Sequence, residues 1–277
     1  MSIIGNEAER RAYWARQMDE AFAFMKAMES YPVCDCGEPL ANLKAAVTAG
    51  DVKVIFSSLP HVQGLPRLFY LREGLIDRFV AAARDFNARG WALKIEDAYR
   101  TPFMQKHLAI REDLFARIHH RTVWELGGKR PSVDLLQRRV AALVAMSPKT
   151  GTHVSGSAID VSVVRLEDGA EVDRGGAYLE LSKKTPMTTP FIPEAARLNR
   201  TAITGLMAHH GFITYPWEFW HYNQGDVYAA YLTRNDQPGR YGPIDFDPVT
   251  GHHEIVRQSA QLLNSPDVIE ALMKQWL

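Results

Sequence analysis

Between Ser157 and Val164 the chain alternates small or polar residues (Ala158, Asp160, Ser162) with β-branched apolar ones (Ile159, Val161, Val163). A period of two sends successive side chains to opposite faces of a strand. The stretch therefore predicts a half-buried strand with Asp160 on the face away from the apolar residues. His153 lies just before this strand, and Gly156 between them marks a turn or a close backbone approach. The two are too far apart for one helix face, so a bend before the strand has to bring them together.

A second segment completes the pattern. Phe212 to Trp217 reads as an aromatic strand, and Glu218-Phe-Trp-His221 follows it. Glu218 and His221 are three positions apart, which in a strand puts them on opposite faces; a helical or tight turn converges them. Two imidazoles, one carboxylate and one further acid then stand in two segments. His153, Asp160 and His221 can supply the three protein ligands of a catalytic zinc site, which keeps a fourth position open for water. Glu218 can be the base that deprotonates that water. Plainer roles also fit these residue types: His153 as a cap, Asp160 as a hydrogen-bonded strand acid, Glu218 and His221 as a polar rim on an aromatic core.

The order of the motifs resembles the zinc D-alanyl-D-alanine dipeptidases and their relatives among the D,D-carboxypeptidases and endolysin peptidases. Their signature reads S-x-H-x-x-G-x-A-x-D, then E-x-W-H. Here His153, Gly156, Ala158 and Asp160 are followed by Glu218, Trp220 and His221, and Lys94-Ile-Glu-Asp-Ala-Tyr-Arg100 resembles the family's D-x-Y-R segment. The resemblance covers Arg67 to Asn223. It implies an α+β fold, with helices packed on a central antiparallel sheet that carries one Zn2+ held by His153, Asp160 and His221. It implies Glu218 as the base and Arg100 as the cation facing the oxyanion, with Asp97 orienting Arg100. Asp97, Tyr99 and Glu180 are the substrate-side residues it suggests.

Two positions depart from the family. Gly151 stands where relatives have serine, and Gly176-Ala-Tyr-Leu-Glu180 stands where they have a G-T-x-F-D-like segment whose acid holds the substrate's free amino group. The expected function is zinc-dependent hydrolysis of a small amide or dipeptide, of the D-Ala-D-Ala type first. Alternatives are a related hydrolase of other cell-wall peptides or of non-peptide amides, or a non-catalytic metal-binding interaction module. Glu218 beside the three ligands speaks against the last, since a structural site has no use for a base at an open position.

Composition bounds the rest. The chain has 277 residues, 46% of them hydrophobic, with 32 Lys+Arg against 32 Asp+Glu and a formal net charge of zero. No overall field draws in nucleic acid or an acidic membrane, so neither is an expected partner; the expected partner is a small-molecule or dipeptide substrate, and the oligomeric state stays open. Cys34 and Cys36 make a poor disulfide framework and read as reduced thiols in a loop. The start Met1-Ser-Ile-Ile-Gly-Asn-Glu turns charged at once, without a basic start and apolar run, and no apolar stretch approaches the ~20 residues of a membrane span. A cytoplasmic chain is the expectation.

Periodicity supplies the other elements: an amphipathic helix from Glu7 to Met28, another over Leu71 to Phe86, and a strand Trp91–Ile95 delivering Asp97, Tyr99 and Arg100 at its end. Helices follow at Met104 to Ile118, Val133 to Met146, and Glu194 to His210 (Leu198, Ala202 and Leu206 inward). Asn235 to His253 reads as a long loop or lid. Ser265-Pro266 opens a final helix carrying Val268, Ile269, Leu272, Met273 and Trp276. The division expected is an N-terminal helical segment at 1–66 packed on the core, a zinc peptidase core at 67–223, and a loop-and-helix extension at 224–277.

Overall fold

The computed structural model describes residues 5–234 and 236–275, so Trp276 of the expected final helix lies outside the described residues. A five-stranded sheet forms the centre, in the order Val54–Phe56, Trp91–Asp97, Ala158–Arg165, His221–Asn223, Ile213–Thr214. The first pair runs parallel and the other three pairs antiparallel. The sheet is thus mixed at one edge rather than wholly antiparallel. The reason is the connection: helix Ile76–Ala88 lies in the chain between the two parallel strands, and a parallel pair needs such a crossover.

Ile159, Val161 and Val163 point where the alternation puts them. With Leu93 and Ile95 they form the main core against Phe79, Ala83 and Phe86 of helix Ile76–Ala88 and against Ile203 and Met207 of helix Glu194–His209. Each of the large apolar side chains among them contributes about 1.5–3 kcal/mol by leaving water. The opposite face of the sheet carries the polar residues.

One irregularity decides what that polar face holds. Ile95 pairs with Val161, yet Asp97 pairs with Asp160, because the register shifts between Ile95 and Asp97. In a regular strand Asp97 shares a face with Ile95, which is core. The bulge at Glu96 turns it to the other side, as bulges re-aim side chains. Asp160 is in turn directly opposite His221. Asp97, Asp160 and His221 therefore stand side by side across three strands.

The N-terminal helix spans Glu7–Ser30 and opens with a capping box between Asn6 and Glu9, the reciprocal pairing that satisfies two free amide groups. Trp14, Met18, Ala21, Phe24, Met25 and Met28 are its buried stripe, and they pack on Tyr215, Trp217 and Tyr228. Phe24 takes the central place; Phe22 is only half buried.

Three expectations change. The helix at 104–118 is two helices, Pro102–Leu108 and Glu112–Glu125. Helix Glu194–His209 buries Ala196, Arg200, Ile203 and Met207, while Leu198 is 63% exposed. Apolar spacing misleads there because the inward stripe includes an arginine. Arg200 donates from Nε to Arg174 O (2.7 Å), from Nη1 to Pro186 O (2.8 Å) and from Nη2 to Lys184 O (2.8 Å), tying the irregular segment after the central strand to the helix. Arg174, fully buried in that segment, donates to Val161 O and Ser162 Oγ of the strand itself. Both guanidinium groups stack on Phe219.

The third change concerns the expected lid. It contains a hairpin, Ile244–Phe246 with His253–Ile255, and Ile244 and Phe246 are buried with Tyr99. None of its described residues lines the cavity that holds His153, Asp160 and His221. Cys34 and Cys36 are exposed free thiols. Among the described residues no helix is long and apolar enough to cross a membrane.

Candidate metal centre and active site

His153 sits in the short 3-10 turn Thr152–Ser155, which ends at Gly156 with φ +68°. That left-handed conformation suits glycine, and an added Cβ would collide with Leu40 Cδ2. The turn is the bend that the sequence requires, and it folds His153 back beside Asp160. His221 arrives through a hairpin. Ile213 and Thr214 pair with Asn223 and Tyr222, and in the connecting loop Tyr215 O accepts from Glu218 N and Glu218 O from His221 N. This tight turn puts Glu218 and His221 on the same side.

Donor atoms of His153, Asp160 and His221 all lie within 4.8 Å of one another, and all three residues are buried. Asp160 Oδ1 is 3.3 Å from His153 Nε2 and 3.1 Å from His221 Nδ1. The far nitrogen of each ring is anchored. His153 Nδ1 donates to Ala98 O at 2.5 Å, and His221 Nε2 shares a hydrogen bond with Thr152 Oγ1 at 3.0 Å. The first of these leaves Nε2 as the His153 nitrogen that faces the carboxylate. One cation can be shared by the three donors, and anchored imidazoles beside a carboxylate are how proteins prepare metal ligands.

The other oxygen of Asp160 is separately engaged. Oδ2 accepts from Tyr178 Oη at 2.9 Å and lies 3.6 Å from Arg100 Nη2. Burial pushes the Asp160 carboxyl up, but His153 and His221 outweigh it and hold the group well below its ordinary range. Burial together with the Asp160 charge keeps the Tyr178 hydroxyl protonated, well above the usual phenol range.

Arg100 is held from three sides. Its Nε donates to Asp97 Oδ2 (2.8 Å) and its Nη1 to Gln105 Oε1 (3.2 Å), while Nη2 faces Asp160. Asp97 also meets Arg67 Nη1 at 3.1 Å and His61 Nε2 at 3.3 Å. Burial drives the Asp97 carboxyl up, and Arg100 and His61 more than reverse it, so it stays ionised. At Glu218 burial outweighs His221 and Arg100, which pull the other way, and pushes the carboxyl up to about 7, the region in which a carboxylate takes and returns protons near neutrality.

A single cavity is lined by His153, Asp160, His221, Glu218, Arg100 and Trp220 at one part of its wall. Of the residues singled out in the sequence, five meet there and three do not. Asp97 is behind Arg100 as its orienting partner. Tyr99 is fully buried and donates from its hydroxyl to Ile244 O at 3.0 Å, which keeps it in the core. Glu180 accepts from Ser182 Oγ at 2.6 Å, faces Lys184, and is not on the cavity wall. Sequence reading missed Tyr178, His61, Arg67 and Gln105. Tyr178 lies in an irregular segment with no periodicity to flag it, and its neighbour Glu180 was the residue that the family pattern pointed to.

Residues 131–237 match the model of peptidase family M15, described as D-ala-D-ala dipeptidase. The chain is similar to the D-alanyl-D-alanine dipeptidase of Synechocystis sp., 25% identical over 240 residues, which are 77% of this chain and 93% of that protein. It is 33% identical to the D-alanyl-D-alanine dipeptidase of Escherichia coli over 85 residues, 31% of this chain and 43% of that one. A solved LdcB LD-carboxypeptidase superposes with a TM-score of 0.38 at 19% identity, covering 76% of this chain and 80% of that chain.

Proposed function

We propose that this relative of the D-alanyl-D-alanine dipeptidases is a zinc-dependent amide hydrolase, acting on a small amide or dipeptide. The observation that carries the reading is the anchored donor set: His153, Asp160 and His221 converge, each imidazole fixed at its far nitrogen, with Glu218 and Arg100 on the same cavity wall. Zinc bound by these three residues supplies a Lewis acid that polarises the scissile carbonyl and acidifies water.

The chain's own groups do the rest. Glu218 takes a proton from the attacking water at its carboxylate. As the C–N bond breaks it delivers that proton to the departing nitrogen, so that amide and water become acid and amine. Arg100, immobilised by Asp97 and Gln105, holds a fixed positive charge toward the carbonyl oxygen as that oxygen gains negative charge. Tyr178 occupies Asp160 Oδ2 and leaves Oδ1 to face the imidazoles. The place of Glu218 on the cavity wall beside the donor set, with its carboxyl raised, favours catalysis over a purely structural metal site.

The test is metal analysis followed by turnover. Purified protein should hold about one equivalent of zinc, with Zn–N distances of roughly 2.0–2.1 Å by X-ray absorption. It should release alanine or another amine from an amide panel only when loaded. A protein that binds zinc elsewhere, or hydrolyses equally well after chelation, overturns the reading.

A further inference from the structure

Away from the donor cluster the cavity wall carries an apolar stretch. Leu108, Leu114, Leu143, Val144, Leu179 and Leu181 line it, drawn from three helices and the segment after the central strand. Its acids are already committed. Asp160 serves the imidazoles, Glu218 is the base, and Asp113 forms a two-pronged pair with Arg111 (2.9 and 2.5 Å). Glu180 turns away to Ser182. Among the lining residues, Arg100 and Arg111 are the partners of Asp97, Asp160 and Asp113, while Arg117 donates to the Leu179 carbonyl. An ammonium beside the scissile bond would find no unspent carboxylate, and burying it unpaired is costly.

Two backbone details point the same way. Leu179 adopts φ +61°, a region that a branched apolar residue rarely enters. Arg117 donates from Nη2 to its carbonyl. The segment is held in an unfavourable conformation at the place where a leucine reaches the wall, the kind of local strain that gathers at binding sites. At Gly151 an added Cβ would make only ordinary contacts, 3.4–3.5 Å from Val154, Ala145 and Gln105. The absence of a side chain there is not forced by space, and it leaves that position of the wall without a hydroxyl.

We propose that the substrate class of this site is an N-acyl amino acid: an amide whose acyl side is an apolar chain with no free ammonium, and whose amine side carries a carboxylate. The inference rests on the hydrolase reading above and deepens it. The acyl chain lies along the leucine stretch, and Arg117, whose hydrogen bond goes to a carbonyl and not to an acid, is the lining cation left to match the carboxylate.

The experiment compares zinc-loaded full-length protein on N-octanoyl-D-alanine, N-octanoyl-L-alanine, N-acetyl-D-alanine and D-Ala-D-Ala, with released alanine counted by mass spectrometry. One N-octanoyl-alanine should exceed D-Ala-D-Ala in kcat/KM by at least about tenfold, the scale of a few buried methylenes. A preference for D-Ala-D-Ala overturns the proposal. Calorimetric binding of the same compounds to zinc-loaded Glu218→Gln separates the two readings. Tight N-octanoyl binding without turnover in the unsubstituted protein sinks the hydrolase reading and keeps this one; equal or tighter binding of D-Ala-D-Ala sinks this one. Leu179→Asp supplies a carboxylate at the wall and eases the backbone, since aspartate tolerates positive φ better. It should shift relative binding toward D-Ala-D-Ala; an unchanged ratio removes Leu179 from the recognition surface.

Discussion

Two clusters in this molecule hold the same three ligand types, two histidines and an aspartate. One is His153, Asp160 and His221; the other is Asp85 with His209 and His210 at the end of helix Glu194–His209. In both, the donor atoms come within 4.8 Å of one another. The first is buried, its rings are anchored at their far nitrogens, and it shares a cavity with a base and a guanidinium. In the second, His209 is exposed, and the one ion pair runs from His210 Nε2 to Asp85 Oδ2 at 2.7 Å. The difference teaches that a donor set becomes chemically useful through what stands behind it: partners that orient each ring, and walls that exclude water.

Substitutions can break or sharpen that contrast. The largest effect is expected from His153→Ala, which should take zinc content from about one equivalent to background, together with all turnover, because a catalytic site has only three protein ligands. Elemental analysis after gel filtration reads the loss directly. Glu218→Gln should keep the metal and lower kcat by about 10²–10⁴-fold, the usual worth of a positioned proton transfer. Turnover near that of the unsubstituted protein would hand the base role to another group.

Arg100→Ala is expected to lower kcat by about 10²–10³-fold, the cost of losing one partner of the developing oxyanion; a change confined to KM would make Arg100 a substrate-holding group instead. Tyr178→Phe tests the orienting partners themselves. Loss of its bond to Asp160 Oδ2 should weaken zinc by about 10–100-fold, measured by competition with a chelating dye. At the other cluster, His209→Ala should leave zinc content and kcat/KM within about twofold, as surface changes remote from a site do. A lost equivalent of tightly held zinc there would erase the contrast.

The part of the site that was legible in the sequence is the part carried by local order. Alternation from Ser157 to Val164 put Asp160 on the polar face, Gly156 marked the bend behind His153, and the spacing of Glu218 and His221 demanded a turn. Asp97 was harder. Simple alternation from Ile95 places it in the core, and only the bulge at Glu96, which depends on pairing with a strand some sixty residues later (Asp97 with Asp160), turns it to the site. Tyr178 and Gln105 come from an irregular segment and a short helix, and nothing local distinguishes them. The inward face of helix Glu194–His209 was misjudged for a related reason: Arg200 is buried by carbonyl groups that the chain supplies from residues 174–186, while Leu198 is left outside.

Those carbonyl contacts have a consequence for anyone recombining relatives of this protein. The segment between the central strand and helix Glu194–His209 carries Tyr178 and Leu179, which makes it the natural cassette to exchange when a new selectivity is sought. Yet its shape is written partly outside itself, in Arg200, and inside it Arg174 is threaded onto the strand through Val161 O and Ser162 Oγ. A donor cassette transplanted without a matching arginine at position 200 arrives with its backbone unaddressed. The heritable unit is longer than the loop: it runs from the strand through the first turns of the helix, and selectivity travels only when that whole piece moves together.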